Sequence, residues 1–481
     1  MEKKNTWETY NKTQLKEVDV FAKEYMQFLD AGKTERECVD IIVNTIEKAG
    51  YRELQEIIKK KETLKKGDKV YSVCMNKAIA MFRIGEAPME EGMNILGAHI
   101  DSPRLDVKQN PLYEDGGFAY LDTHYYGGVK KYQWVTIPLA IHGVVVKKDG
   151  TTVELSVGES DDDPVFFISD LLIHLAQEQL EKKAAKVIEG EALDVIVGNK
   201  PLIIDKKKEG QKDKKEKDDK DEKAVAKDAV KQGILNILKE KYDIEEEDFI
   251  SAELEVVPAG KAREAGFDRS MILAYGQDDR VCAFSSLKAM IEVEDSRRTA
   301  CCLLVDKEEI GSVGATGMQS KFFENTVAEL LALTGEYSEL ALRRCLAASC
   351  MLSSDVSSGF DPTFAASFDK KNVAYLGGGM VFNKFTGARG KSGSNDANAE
   401  YLAHLRNIYE KENINFQTAE LGRVDLGGGG TIAYILALYG MNVIDSGVAV
   451  LNMHAPWEAT SKADVYEAKR GYVAFLKGAE M

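Results

Sequence analysis

The sequence predicts an α/β fold, a sheet with helices on both faces, into which a β-rich stretch is inserted. Three observations carry this. From about residue 267 onward, apolar strand-like runs alternate with amphipathic helical ones. From about 108 to 266 the texture is β-branched and aromatic, as in "FAYLDTHYYGG" and "YQWVTIPLAIHGVVVKKDGTTVELSV". Ahead of both stretches, the chain opens with two helical patterns.

Those helices are predicted over 13–30 and 34–49. The second starts with Thr34 and Glu37 in capping-box spacing and then sets Cys38, Ile41, Ile42 and Ile46 along one face. Strands follow at 69–74, 77–83 and 93–99, the last apolar until it meets His99. In the β-rich stretch, Lys148-Asp149-Gly150 predicts a hairpin turn. "ISDLLIHLAQEQLEKK" predicts a helix with Ser169 near its start. Residues 205–223, "DKKKEGQKDKKEKDDKDEK", offer no apolar area to offset ordering entropy, so a charged flexible loop is expected near 205–227. Beyond 267, strands are predicted at 271–276, 299–305, 347–353, 374–382, 416–424 and 442–453. Helices are predicted at 281–294, 319–335, 395–411, 430–439 and 462–477.

A chain of 481 residues, 44% hydrophobic, exceeds one ordinary core. The expected division is a discontinuous domain, 1–107 with 267–481, and an inserted domain over 108–266. Lys plus Arg is 63 against 79 Asp plus Glu, a net charge of −16 that repels nucleic acid backbones and anionic membranes. The seven cysteines are scattered and form no CxxC pair, as suits reduced thiols. "MEKKNTWETYNK" lacks the apolar centre of a signal peptide, and no run approaches the ~20 apolar residues of a membrane span. A cytoplasmic location is the expectation.

Sites in α/β sheets gather beyond the carboxyl ends of strands. At those predicted ends stand His99 and Asp101, Asp278 and Asp279, Glu308 and Glu309, Asp355, and His454. Alone, Glu308-Glu309 would be an exposed loop and Asp278-Asp279 a helix start. Together, a run of histidines and carboxylates at successive strand ends predicts a metal site. Mixed nitrogen and oxygen donors without thiolate suit zinc, with cobalt or manganese as competitors. There are enough donors for two ions sharing a bridging carboxylate. An adjacent pair of glutamates can serve as one ligand and one base, because neighbouring residues at a strand end point opposite ways.

"GAHIDSPRLDVK", "DDR", "EEIGS", "SSD" and "MHAPWE", in that order, resemble the aspartyl aminopeptidase family of dinuclear zinc exopeptidases. The likeness covers nearly the whole chain, including the inserted β-rich segment. It implies a zinc-exopeptidase-like mixed sheet sandwiched by helices, with an inserted oligomerisation domain. It also implies an aminopeptidase that releases N-terminal residues, acidic ones among them, through a hydroxide held by two Zn2+ per chain. In that pattern His99 and Asp355 match ligands of one ion, Glu309 and His454 ligands of the other, and Asp278 the bridge. Asp101 matches the partner that supports the histidine, and Glu308 the general base. His174 resembles a histidine that reaches toward a neighbouring subunit's site. Peptides with a free N-terminus are the implied substrates, and dimers combining into a dodecamer the implied assembly.

The chain departs from the family near Asp355, where a following histidine is replaced by "DVSSGFDPTF". Lys384 lies near the lysine position tied to acidic preference, with Arg389 and Lys391 close in sequence. Two other functions use the same residues. A deacylase of small amides would share the centre and differ in its pocket. A non-catalytic assembly protein would keep the fold without needing an intact ligand set.

Overall fold

The computed structural model describes residues 4–205, 223–225 and 227–481. The charged run near 205–227, expected to be a flexible loop, lies outside the described residues except at its edges. The chain forms two compact units, one from residues up to Pro103 with Lys261–Met481 and one from Arg104–Gly260.

The larger unit is built on a nine-stranded mixed sheet. Its order from one edge is Arg52–Glu53, Lys69–Cys74, Ala78–Arg83, Thr299–Val305, Met93–His99, Cys350–Ser353, Asn442–Gly447, Met380–Asn383 and Phe416–Thr418. The four strands from Thr299–Val305 to Asn442–Gly447 run parallel, so their carboxyl ends emerge together. Val305 lies opposite His99, and Ser353 opposite Gly97. Parallel strands covered on both faces read as continuous apolar runs, and Thr299–Val305 is buried throughout. Cys302 and Leu304 enter one core, with helices Lys12–Ala31, Glu35–Lys48, Gln277–Glu292 and Lys462–Gly478. Cys301, Leu303 and Val305 enter the other, with helices Phe322–Thr334 and Glu339–Ala348.

The expected capping box forms: the Thr34 side chain accepts from Glu37 N at 3.2 Å, and Glu37 accepts from Thr34 N at 3.0 Å. Ile42 and Ile46 are then fully buried, each stabilising the fold by about 2 kcal/mol. A second, five-stranded sheet in this unit runs Arg263–Ala265, Met271–Ala274, Glu458–Ser461, Ala449–Leu451, Ser357–Ser358.

The smaller unit holds a six-stranded antiparallel sheet, ordered Thr152–Val157, Leu139–Val146, Ala252–Pro258, Arg104–Asp115, Phe118–Tyr126, Val195–Gly198. The expected hairpin turn closes with Gly150 N donating to Lys147 O at 2.9 Å, and Gly150 takes the left-handed backbone (φ 86°).

Several elements differ from expectation. The helix expected over 168–183 is only a 3-10 turn at Ile173–Leu175 and one α-turn at Gln177–Leu180. Leu171, Leu172, Ile173 and Leu175 are exposed there, so no packed face supports a longer helix. The strand expected at 374–382 is Met380–Asn383, because Gly377 and Gly379 just before it adopt positive φ. The strand expected at 442–453 divides into Asn442–Gly447 and Ala449–Leu451, which belong to different sheets. Helix Glu339–Ala348 was not anticipated; Ser338 caps it by accepting from Ala341 N at 3.0 Å. Among the described residues, no helix is long and apolar enough to cross a membrane.

Candidate active site

Three of the four parallel strand ends deliver donors. His99 ends Met93–His99, Glu308 and Glu309 form a 3-10 turn just past Thr299–Val305, and Asp355 follows Cys350–Ser353. Asp278 and His454 come from the five-stranded sheet. Asp278 follows Met271–Ala274 at the kinked start of helix Gln277–Glu292, and His454 follows Ala449–Leu451. The Asp278–Asp279 peptide is cis. His454 sits in the left-handed region at φ 65°, which β-carbon-bearing residues seldom adopt without surrounding constraint.

Donor atoms from these residues converge. His99, Asp278 and Asp355 each offer an atom within 4.8 Å of the others, as do Asp278, Glu309 and His454, and also His99, Glu308 and Glu309. The first two groups share Asp278. Its Oδ1 lies 3.3 Å from His99 Nε2 and its Oδ2 3.2 Å from His454 Nε2. His99 Nε2 is 3.9 Å from Asp355 Oδ1, and His454 Nε2 is 3.5 Å from Glu309 Oε1. Glu309 Oε1 is buried without a hydrogen-bond partner. Among the described residues, the ion pairs that Asp278, Glu309 and Asp355 make are with the two histidines. Buried anions without fixed cations need a cation or a proton, and the mixed donor set fits a borderline divalent metal.

Neighbouring groups hold the donors in place. His99 Nδ1 is hydrogen-bonded to the backbone carbonyl of Asp101 at 3.0 Å, and the fully buried Asp101 carboxylate lies 3.3 Å from the same nitrogen; together they turn Nε2 toward Asp278. The same carboxylate accepts from Glu308 N through Oδ1 and from Glu309 N through Oδ2, both at 3.2 Å. Asp306, just before the turn, accepts from Lys307 N at 2.7 Å and from Thr316 Oγ1 at 2.6 Å, pinning the glycine-rich loop to the strand end. Ser102 Oγ donates to the carbonyl of Asp278 at 2.7 Å.

The electrostatics of the donor groups follow from their burial. In the metal-free chain, burial, reinforced by the charges of Asp101 and Asp278, pushes Glu308 up to about 7. Burial and then Asp278 raise Glu309 and Asp355 well above the ordinary range. Burial opposes ionisation of Asp278 too, but hydrogen bonds from His454 and His99 outweigh it and hold that carboxyl below its usual value. Burial likewise opposes a charged His99, and its bonds to Asp101 and Asp278 prevail and raise it.

Seven of the eight sequence-predicted site residues therefore meet in one place. His174 does not lie in this unit; it sits on the exposed 3-10 turn Ile173–Leu175 of the smaller one. Lys384 pairs with Asp396 at 3.9 Å and Lys391 with the same carboxylate at 3.0 Å. Asp279, a strand-end candidate beside Asp278 in the sequence, is buried and belongs to none of the three donor groups. Two residues of the surroundings were not anticipated. Arg280, fully buried, donates to the carbonyls of Ile100 and Lys33 at 3.2 and 2.8 Å. Glu458 accepts from two backbone amides of the donor set. Both stand inside the quoted motifs "DDR" and "MHAPWE", but their partners are backbone atoms brought up by folding.

A helix-flanked mixed sheet with histidines and carboxylates gathered at its strand ends defines a metal-dependent hydrolase. The comparisons carry this to the family. Residues 28–476 match the family described as "Aminopeptidase I zinc metalloprotease (M18)". A probable M18 family aminopeptidase 1 of Clostridium acetobutylicum is 61% identical over 475 residues, 99% of this chain and 98% of that one. The crystal structure of aminopeptidase I from that organism has a TM-score of 0.89 at 59% identity, covering 99% of each chain. The M18 aminopeptidase structure from Thermotoga maritima has a TM-score of 0.90 at 42% identity, covering 100% of both. The chain belongs to the M18 family: it is a zinc aminopeptidase that releases N-terminal residues, and the resemblance seen in the motifs is borne out.

Proposed function

We propose that the centre holds two zinc ions, one at His99, Asp278 and Asp355 and one at Asp278, Glu309 and His454. The observation that carries this reading is the placement of Asp278, whose two oxygens face histidines of different donor groups. When bound, such an ion pair activates a water and polarises the scissile carbonyl. Glu308 accepts the proton of the attacking water and returns it to the leaving amine. Asp101 anchors the backbone of the Glu308 turn and helps direct His99 Nε2 toward the ion it would hold. Cobalt or manganese can take the place of zinc at such donors.

The test is Glu308→Gln. Turnover of aminoacyl anilides is expected to fall by about 10³-fold or more while zinc per chain, measured by elemental analysis, stays at two. Full activity in this variant removes Glu308 from the role of base, and fewer than two ions in the unmutated chain removes the two-ion reading.

The smaller unit is proposed to mediate self-association, with dimers building a dodecamer and His174 reaching a neighbouring chain's site. Support comes from the exposed apolar side chains of Leu171, Leu172, Ile173 and Leu175 that flank it. A fold relative at 21% identity, S. cerevisiae mApe1, has been solved as a dodecamer. Light scattering of the purified chain checks this, and a monomer overturns it.

A further inference from the structure

Glu458 opens the strand Glu458–Ser461, is 1% exposed, and uses each carboxylate oxygen on a different segment. Oε2 accepts from Asp278 N at 3.0 Å, and Oε1 accepts from His454 N at 2.7 Å. The glutamate is itself fixed from two sides. Its strand pairs with Met271–Ala274, which sets Glu458 opposite Ala274, four residues before Asp278. Its carbonyl accepts from the buried Gln277 Nε2 at 2.6 Å, and Gln277 directly precedes Asp278.

The two amides it joins belong to residues of one donor group. Asp278 and His454 have their side chains 3.2 Å apart, and with Glu309 they form the second group. His454 has a left-handed backbone, so its loop needs an outside anchor to keep the imidazole on Asp278. The first group has separate supports. Asp101 orients His99, and Ser102 Oγ holds the carbonyl of Asp278 at 2.7 Å.

We infer that Glu458 is a positioning residue for the second ion: its carboxylate clasps the backbone of Asp278 to that of His454 and sets the gap between their donor atoms. It touches neither substrate nor metal and acts through the two ligands. This rests on the two-ion reading above.

The experiment is calorimetric titration of chelator-stripped full-length protein with zinc, using a competing zinc buffer for the tight step. The unmutated chain is expected to take up two ions in two steps. If it takes up fewer, the two-ion reading fails, and Glu458 is not the cause. In Glu458→Gln the side chain keeps its size, but its amide N–H faces one of the two backbone N–H groups. One step, that of the ion His454 would hold, is then expected to weaken by about 10–100-fold and the other by clearly less, since Asp278 serves both groups while His454 serves one. The stripped variant is expected to melt only a few degrees below the stripped unmutated protein, since one buried hydrogen bond is lost. A residue that only supported the fold would weaken both steps alike. Both steps unchanged, or both weakened equally, overturns the inference. If Glu458→Gln does not fold, Glu458→Asp is read in the same way. It keeps the charge and withdraws the oxygens by one methylene, so selective weakening of one step supports the clasp and unchanged binding refutes it.

Discussion

Replacing Asp101 by asparagine tests how far one buried carboxylate organises this centre. Asp101 accepts from Glu308 N and Glu309 N at 3.2 Å each and lies 3.3 Å from His99 Nδ1. Asparagine keeps one accepting oxygen and puts an amide N–H where the other stood. One charge-assisted hydrogen bond is lost, worth ~1.5–3 kcal/mol, and a buried backbone N–H is left facing another donor. Taking ~2 kcal/mol as the displacement of Glu308 from its working position gives roughly 30-fold in rate. The altered support of His99 adds roughly 10-fold through the ligand it orients. The expected loss in kcat is therefore about 10²–10³-fold, with KM nearly unchanged because Asp101 is fully buried. Steady-state kinetics on leucyl-p-nitroanilide at saturating zinc measure it, and circular dichroism confirms the fold. A kcat within threefold of the unmutated enzyme would refute the coupling of Asp101 to the glutamate turn.

The metal-free protein is expected to lose stability as pH rises from about 5 to 8. Burial raises Glu308 to about 7, Asp445 to about 7 and Glu458 to about 8, so across this window the folded chain binds more protons than the unfolded one. The stability these groups contribute is present below their unfolded values and disappears as pH climbs through the folded ones; the raised His99 acts in the same direction. Scanning calorimetry of stripped protein checks this, and a flat or rising melting temperature contradicts it; zinc should restore the alkaline side, because cations favour the ionised carboxylates. Gly447→Ala should weaken zinc binding by at least 10-fold, since the added methyl would stand 2.0 Å from the carbonyl oxygen of Asp355 and 3.0 Å from Cys282 Sγ, and something at Asp355 must shift. Equilibrium dialysis against buffered zinc reads that loss, and undiminished affinity would show that the strand end relaxes freely.

Much of the site was legible because strand chemistry is abrupt. The apolar runs ending at His99, Val305 and Ser353 switch to acids and histidine within a few residues, and three of them are neighbours in the parallel part of the sheet. The paired glutamates could be read as ligand plus base because both follow one such run. Asp278 was also found, but its setting was not, since it stands in a second sheet at a kinked helix start. The stretch 168–183 misled because its leucines and isoleucines have helical spacing, yet beyond the buried Ile168 the side chains of Leu171, Leu172, Ile173, Leu175 and Leu180 are exposed, so they give a helix no buried face. Helix Glu339–Ala348 was readable and overlooked: Ser338 is a capping residue, and Leu342, Cys345 and Leu346 share a buried face. Glu458 and Arg280 were beyond sequence reading, because what they hold are amides and carbonyls of distant segments.

The donor residues straddle a seam. His99, Glu308 and Glu309 extend from the nine-stranded sheet, His454 and Asp278 from the five-stranded one, and Asp355 sits where the chain passes from Cys350–Ser353 in the first to Ser357–Ser358 in the second. Cations held there would act as rivets between two plates. Stripping them frees one plate to slide against the other, and amide exchange in stripped protein should quicken first along Ser357–Ser358 and Ala449–Leu451, the seam's own strands, before it reaches Thr299–Val305.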